Sequence, residues 1–371
     1  MENVRHHVRQ IDLAILRDNV KAIRACVPET ARLLAVVKAD AYGHGAVQVA
    51  RAALEAGASF LAVALVEESV ELREAGIQAP ILVLGATSGD EAALAVRHDI
   101  TVTVCDKQMV CEVEQAAATA GVVGQVHLKL DTGMNRIGAR NAEEVGEVLA
   151  ALKTCPHVKL TGAFTHFADA DGDDLAFTYV QLERFKALTA LLPEGIIRHC
   201  ANSAAIHRLM PEAAFDMVRM GISLYGYPPV ATDCPVKPFM RWTTKVTYVK
   251  EIQPGDTVSY GRTYWAEKPV RIATIACGYG DGYHRAATGK AEVLIRGQRA
   301  RIVGRICMDQ MMADVTGIPD AAPGDTVTLI GVDGGERITA DDVASWAGTI
   351  GYEVLLAATG RVTHEWINGD V

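Results

Sequence analysis

In LLAVVKADAYGHG, residues 33–45, a single lysine, Lys38, closes an apolar run and is followed by small, aromatic and glycine residues. Burial disfavours a charged ammonium and lowers its pKa, which makes a lysine in such a place a candidate nucleophile or base. On these residues alone, Lys38 could equally carry its charge out to water along its alkyl stem. Other polar residues sit where apolar runs end: Asp131 with Arg136 just beyond it, His166, Asn202 with Ser203, and Arg219. Together they offer an amine, a carboxylate, an imidazole, a hydroxyl and two guanidinium groups, a set suited to holding a small anion and moving protons beside it.

Something must bring these residues to one place. Eight short runs rich in β-branched residues span 33–38, 60–65, 81–85, 100–105, 126–131, 159–167, 196–202 and 217–223. Between them lie alanine-rich stretches such as AVQVARAALEAG and EESVELREAG, which end in glycine as helices commonly do. Leu13, Leu16, Val20, Ile23 and Val27 are spaced by three and four, predicting a first helix that Asp12 caps. Eight near-continuous apolar strands alternating with helices describe an α/β chain whose N-terminal part is a (β/α)8 TIM barrel, with a doubly wound open sheet as the alternative. Barrels place their chemistry at the C-terminal ends of the strands, where all the residues above fall. The loops after the seventh and eighth strands carry NSAA and MGIS, a hydroxyl and a glycine backbone suited to a phosphate.

At 371 residues with 50% apolar composition, the chain suits two domains. LYGYPPVATDCPVKPFM carries four prolines and reads as a linker, placing the barrel at 1–235 and a mainly β C-terminal domain at 236–371. The first ~10 residues are left available to pack with the second domain. Beyond the linker, strand-like runs recur, the turn PGDTV occurs at 254–258 and 323–327, and short helices are expected near 339–347 and 352–358. A net charge of −9 with scattered Lys and Arg offers no stripe for nucleic acid. No apolar run is long enough to cross a bilayer and the N-terminus lacks a secretory core, so a cytoplasmic protein is expected. The eight cysteines fall singly in apolar segments without zinc-like spacing and read as reduced core residues.

A lysine facing a phosphate cradle is what covalent attachment of pyridoxal 5′-phosphate requires. The chain resembles the alanine racemase family, pyridoxal phosphate enzymes of fold type III. The likeness runs through AVVKADAYGHG, LKLDTGMNRIG, THFADAD, HCANSAA, VRMGISLYG, VSYGRTYWAEK, GYGDGY, VGRICMDQ and TIGYEV. The resemblance implies an isomerase interconverting L- and D-alanine by a two-base mechanism on a pyridoxal phosphate aldimine, supplying D-alanine for peptidoglycan. It makes Lys38 and Tyr264 the catalytic pair on opposite faces of the α-carbon, with His166 and Arg219 as the cations available to tune Tyr264. It implies a homodimer in which Lys38 of one chain meets Tyr264 and Met308 of the other.

Further roles follow from the same resemblance. Arg219 faces the pyridine nitrogen, and His166 packs near the ring. Tyr42, Ser203, Tyr352 and the amides of Gly221 and Ile222 hold the phosphate, with Asn202 beside them. Arg136 reaches the cofactor's phenolic oxygen and the substrate carboxylate. Tyr283 and Tyr352 narrow the way in, and with the Met308 backbone and Asp309 they favour a methyl-sized side chain. Lys129, on the fifth strand, is often an N6-carboxylysine in related enzymes; the alternative is an ordinary ammonium contacting Asp131. GYGDGY lacks the βαβ context of a nucleotide loop, DADGDD lacks a calcium loop's final glutamate, and no metal site is expected. Rival readings are a broader amino-acid racemase, for example of serine, a pyridoxal phosphate carrier, and a decarboxylase; the second domain speaks against the carrier and Arg219 against the decarboxylase. The chain departs from the family pattern in its ending GRVTHEWINGD and at Gly280, where alanine is frequent and the glycine is expected to loosen the loop before Tyr283.

Overall fold

The computed structural model describes residues 6–87 and 89–369, which divide into two compact units. One comprises Ile15–Ala41 and Ala46–Lys237; the other comprises the chain up to Ala14, Tyr42–Gly45 and Pro238 onward.

The first unit is the barrel. Its strands, in spatial order, are Ile197–His199, Val158–Phe164, Gly124–Lys129, Thr101–Val104, Ile81–Ala86, Phe60–Val63, Arg32–Val36 and Met217–Met220. Every pairing is parallel, and the first strand pairs with both the second and the eighth, Leu34 lying opposite Phe60 and Arg219. The remaining seam is bridged by Asp216 N–H to the Arg198 carbonyl at 3.0 Å and Arg219 N–H to the Ala201 carbonyl at 3.1 Å. The first helix spans Leu13–Ala25, and the Asp12 carboxylate accepts the Ala14 N–H at 3.0 Å. The eighth strand is shorter than its apolar run suggests: it stops at Met220, and Ile222–Tyr225 form a buried 3₁₀ turn. There the hydrophobicity marks a buried connection, which periodicity alone does not separate from a strand.

The barrel interior is more polar than the sequence pattern suggests. His127 and Lys129 share one strand, the Phe164 strand separates it from that of His199, and Arg219 lies on the strand across the seam; Lys129 is opposite Phe164 and Phe164 opposite His199. The Phe164 and His199 rings stack at 4.9 Å, while Lys129 Nζ and the Arg219 guanidinium carbon lie 5.5 and 5.7 Å from the Phe164 centroid. His127 fits because its neighbour across the ladder is Gly162: a Cβ there would stand 2.5 Å from His127 Cε1 and 2.6 Å from Nε2.

The second unit is mainly β. Its spine is the 13-residue strand Met240–Ile252, paired antiparallel with Val8–Asp12, Val270–Ile275 and Thr326–Asp333. Both PGDTV turns place their glycine at positive φ, +89° for Gly255 and +94° for Gly324. In each, the following aspartate accepts a backbone N–H from three residues back, Gln253 at 2.7 Å and Ala322 at 2.8 Å. Helices occupy Ala340–Ala347 and Gly351–Leu356. The unusual C-terminal segment forms a strand, Thr363–Ile367, parallel to Val8–Asp12. All eight cysteines are free, but the expectation that they are core residues holds only in part. Cys111 is exposed and Cys26, Cys105 and Cys307 are half-buried, because Cys111 lies on a helix's outer face rather than in a strand.

Two predictions follow from the barrel interior. Gly162→Ala should destabilise the protein by about 1–3 kcal/mol, since the methyl must displace a buried ring in a packed layer; an unchanged denaturation midpoint would contradict that packing. Burial holds His127 neutral, its pKa pushed down to about 3. The unfolded chain takes up a proton near pH 6.5 that the folded chain refuses, so stability is intact above about 6.5 and declines as pH falls toward 3. Urea titrations below pH 6.5 should show His127→Gln losing less stability than the parent, by about 1.4 kcal/mol per pH unit. Parallel slopes would place His127 outside that titration.

Candidate active site

The first barrel strand ends at Val36, and the chain turns into a single helical turn over Lys38–Gly43. The turn is left-handed: Ala39, Asp40, Ala41 and Tyr42 have φ of +51° to +52°, and Gly43 has +74°. The left-handed helical conformation costs an L-residue about 1–2 kcal/mol, so four such residues in a row require outside support. The Val37 carbonyl accepts the Ala41 N–H at 2.9 Å, and Asp40 Oδ1 accepts the Ala46 N–H at 2.8 Å. Downstream, within the β unit, the Gly43 carbonyl is contacted by His364 Nε2 at 3.1 Å, and Trp366 Nε1–H donates to the His44 carbonyl at 2.9 Å. Arg9 donates to the Leu355 carbonyl at 2.7 Å and the Gly43 carbonyl at 3.4 Å. The GRVTHEWINGD ending therefore braces the segment that follows Lys38. Lys38 itself is half-buried, and its pKa is lowered by burial and by the Arg136 charge, against a smaller upward pull from Glu68.

Arg219 is 3% exposed and has no carboxylate partner among the described residues. Nη1 donates to His199 Nδ1 at 3.1 Å and to the His199 carbonyl at 3.2 Å. Nη2 donates to the Thr165 carbonyl at 2.9 Å, the Cys200 carbonyl at 3.0 Å and His166 Nδ1 at 3.1 Å. Its Nε–H has no acceptor among the described residues. Donation to His199 Nδ1 places that ring's proton on Nε2, which then donates to His127 Nδ1 at 3.0 Å. His166 and His199 are held well below the ordinary imidazole range, chiefly by burial and then by the Arg219 charge. Arg136, Lys129 and Lys38 push His166 the same way, which groups these four cations around one imidazole.

Asp131 is less available than its place at a strand end suggests. Its carboxylate accepts the backbone N–H groups of Gly133, Asn135 and Arg136 at 2.9–3.0 Å, so it shapes the loop that presents Arg136. Lys129 is buried, with Nζ donating to the Leu130 carbonyl at 2.9 Å and the Ile137 carbonyl at 3.4 Å. Burial pushes its pKa down to about 8 despite the attraction of Asp131.

Ser203 Oγ accepts the N–H groups of Gly221 at 3.1 Å and Ser223 at 3.2 Å, bringing the loops after the seventh and eighth strands together. Asn202 caps the helix Ser203–Arg208, its Oδ1 accepting the Ala205 N–H at 3.0 Å. Ile222 opens the buried 3₁₀ turn. In the β unit, Tyr42 and Tyr352 lie with ring centroids 5.9 Å apart, and burial drives the Tyr42 hydroxyl pKa upward.

The remaining expected residues also belong to the β unit. Tyr264 lies on a two-residue strand opposite Val258 and is half-buried, its pKa raised by burial and by Asp314 against Arg301. Met308 is 49% exposed, and Asp309 is paired with Arg361 at 2.6 Å. Tyr283 is fully buried, its ring 6.2 Å from Trp242, so in the single chain it faces protein rather than solvent. The space beside Gly280 is not slack: a Cβ there would stand 2.8 Å from Arg361 Nη1 and 3.0 Å from the Met308 carbonyl oxygen. Gly280 therefore accommodates Arg361, which replaces the expectation of a loosened loop.

The barrel thus gathers a lowered-pKa lysine, a carboxylate-free guanidinium and a hydroxyl bridging two loops, in an interior dominated by positive charge. The sequence reading missed His127 and His199. Their one signal was an imidazole inside an otherwise apolar run, the usual pattern of a core histidine.

Comparison with known proteins agrees with this geometry. The family descriptions "Alanine racemase, N-terminal domain" and "Alanine racemase, C-terminal domain" match residues 11–229 and 239–366. An alanine racemase of Halothermothrix orenii is 43% identical over 366 residues, 97% of this chain and 96% of that one. The crystal structure of alanine racemase from Bacillus anthracis with bound L-Ala-P superposes with a TM-score of 0.92 at 38% identity, covering 99% of this chain and 96% of that one. A histidine racemase from Leuconostoc mesenteroides subsp. sake superposes with a TM-score of 0.91 at 30% identity, covering 98% and 99%. By sequence over nearly its whole length and by fold, the chain belongs to the alanine racemase family and is an isomerase that interconverts L- and D-alanine.

Proposed function

We propose that the chain racemises alanine with pyridoxal 5′-phosphate, using Lys38 and the Tyr264 of a second copy as its two acid/base groups. The observation that carries the cofactor reading is Arg219: buried and, among the described residues, with neither a carboxylate partner nor an acceptor for its Nε–H. A pyridine nitrogen accepts such a donor. Because a guanidinium cannot take up a further proton, it favours the neutral ring over the protonated one. Bound cofactor supplies a conjugated ring that delocalises the electron pair left when the α-proton departs.

The chain's residues do the rest. Lys38 would hold the cofactor through its aldehyde and move a proton at one face of the substrate's α-carbon, and its lowered pKa supports this role, since both tasks need a neutral amine. Tyr42, Ser203, Tyr352 and the amides of Gly221 and Ile222 hold the phosphate, and Asn202 supports Ser203 by capping its helix. Arg136 grips the substrate carboxylate with a planar fork. His166, kept neutral against Arg219, adds no further positive charge beside the ring. Met308, Tyr352 and Asp309 bound the side-chain pocket, while Tyr283, buried against Trp242, backs it from within the protein. Lys129 would be carbamylated: with its pKa at about 8 its neutral amine can add to carbon dioxide, releasing a proton to water, and the carbamate would place a negative charge near Arg136 and Arg219. The dimer is the catalytic unit, working in the cytoplasm to supply D-alanine for peptidoglycan.

Chiral analysis of products tests the activity: purified protein with pyridoxal phosphate should convert L-alanine to a racemic mixture far faster than L-serine or L-histidine. Equal rates would favour the broader racemase. For the shared site, Lys38→Ala and Tyr264→Phe should each be nearly inactive, and unfolding and refolding the two together should recover activity in mixed dimers. Random pairing makes half the dimers mixed, each with one intact site of two, hence about a quarter of the parent activity. No recovery in demonstrated mixed dimers would rule out a site shared across copies.

A further inference from the structure

We propose that Glu68 is a positioning residue for Lys38, holding the left-handed turn at its first residue from the neighbouring barrel strand. This rests on the reading of Lys38 as the lysine that binds the cofactor's aldehyde. Glu68 lies in the first turn of the helix Val66–Glu74, directly after the second barrel strand. Oε2 accepts the backbone N–H groups of Ala64 at 2.7 Å and Leu65 at 3.1 Å, an ordinary capping arrangement. Oε1 reaches across to the first strand's end and accepts the N–H of Ala39 at 2.5 Å. Ala39 is bonded directly to Lys38 and is the first of the four non-glycine residues at φ near +51°.

Three things follow from one carboxylate. It ties the end of one barrel strand to the end of the next, just beyond the ladder bond from Val37 N–H to the Ala62 carbonyl at 2.8 Å. It gives the strained turn a charge-assisted hydrogen bond where the left-handed run begins, while Asp40 with Ala46 fixes its middle. It also places a negative charge facing Lys38 opposite to the positive charge of Arg136; His166, on the sixth strand's loop, is neutral. Capping alone needs Oε2 only, so the use of Oε1 on Ala39 is what a purely structural role leaves unexplained.

The test uses the full chain reconstituted with pyridoxal phosphate, the lysine adduct being trapped with borohydride and located by peptide mass spectrometry across pH. Adduct at Lys38 in the parent confirms the reading on which this proposal rests; adduct elsewhere refutes that reading and leaves Glu68 without a target. Removing the charge in Glu68→Gln and Glu68→Ala should move the pH midpoint of adduct formation down, on the order of half a unit, because the group that raises the lysine pKa is gone. At pH values above both midpoints, where the amine is neutral throughout, Glu68→Ala should bind pyridoxal phosphate about tenfold more weakly, with Glu68→Gln between it and the parent. Glu67→Gln, an exposed neighbour of the same charge on the same turn, should match the parent. A merely structural role would lower the melting temperature without moving the midpoint. Parent-like midpoints in both Glu68 variants, or parent-like affinity in Glu68→Ala above them, would overturn the proposal.

Discussion

A guanidinium buried in the barrel at Arg219, with no carboxylate partner among the described residues, is the constraint from which the rest of the site can be understood. Removing a cation from water is costly, and a partner carboxylate is the usual compensation. Here the compensation is three backbone carbonyls and two imidazole nitrogens. Those imidazoles must remain neutral to accept, and burial keeps them so. The proton placement then runs outward through His199 to His127, and His127 fits only because residue 162 is glycine. With Arg136 and, while its ammonium is free, Lys129 acting on the same imidazole as Arg219, the barrel holds a surplus of positive charge. An anionic ligand relieves that surplus, whereas a metal cation would deepen it.

The second constraint lies in the backbone. Lys38 precedes four L-residues in a left-handed turn, so its direction is set by a conformation that its own sequence disfavours. Such strain persists only where the surroundings over-determine it. The supports come from Glu68 and Asp40 on the barrel side, and from Arg9, His364 and Trp366 around residues 43 and 44. The chain passes from the barrel unit to the β unit and back within this stretch, at Tyr42–Gly45.

What was legible in the sequence follows the same division. Barrel strands are buried on both faces, so their apolar runs stand out and all eight were found. The left-handed turn was not, because Ala-Asp-Ala-Tyr has no glycine before Gly43 to announce a positive φ. Lys38, Ser203 and Arg219 stood out as polar residues ending apolar runs, and Arg136 as one just beyond the run that ends at Asp131. His127 and His199 lie inside such runs and looked like core, and Glu68 looked like the helix cap that it also is. Its second bond depends on where a neighbouring strand ends, which no local pattern encodes. Gly280 was misread for a related reason: Arg361, eighty-one residues away in sequence, fills the space beside it.

The two proposed acid/base groups are prepared unequally. Lys38 has its pKa lowered within its own unit, whereas Tyr264 has its pKa raised by burial and Asp314. L- and D-alanine have equal free energy in water, so a racemase gains nothing from a tyrosine too weakly acidic to hand its proton back and forth on the second face. On the two-copy reading, the barrel's surplus of positive charge resolves this imbalance: cations that lower the lysine pKa would lower that of a tyrosine brought beside them. On that reading one electrostatic surplus would serve an anionic ligand, a nucleophilic amine and an ionisable phenol.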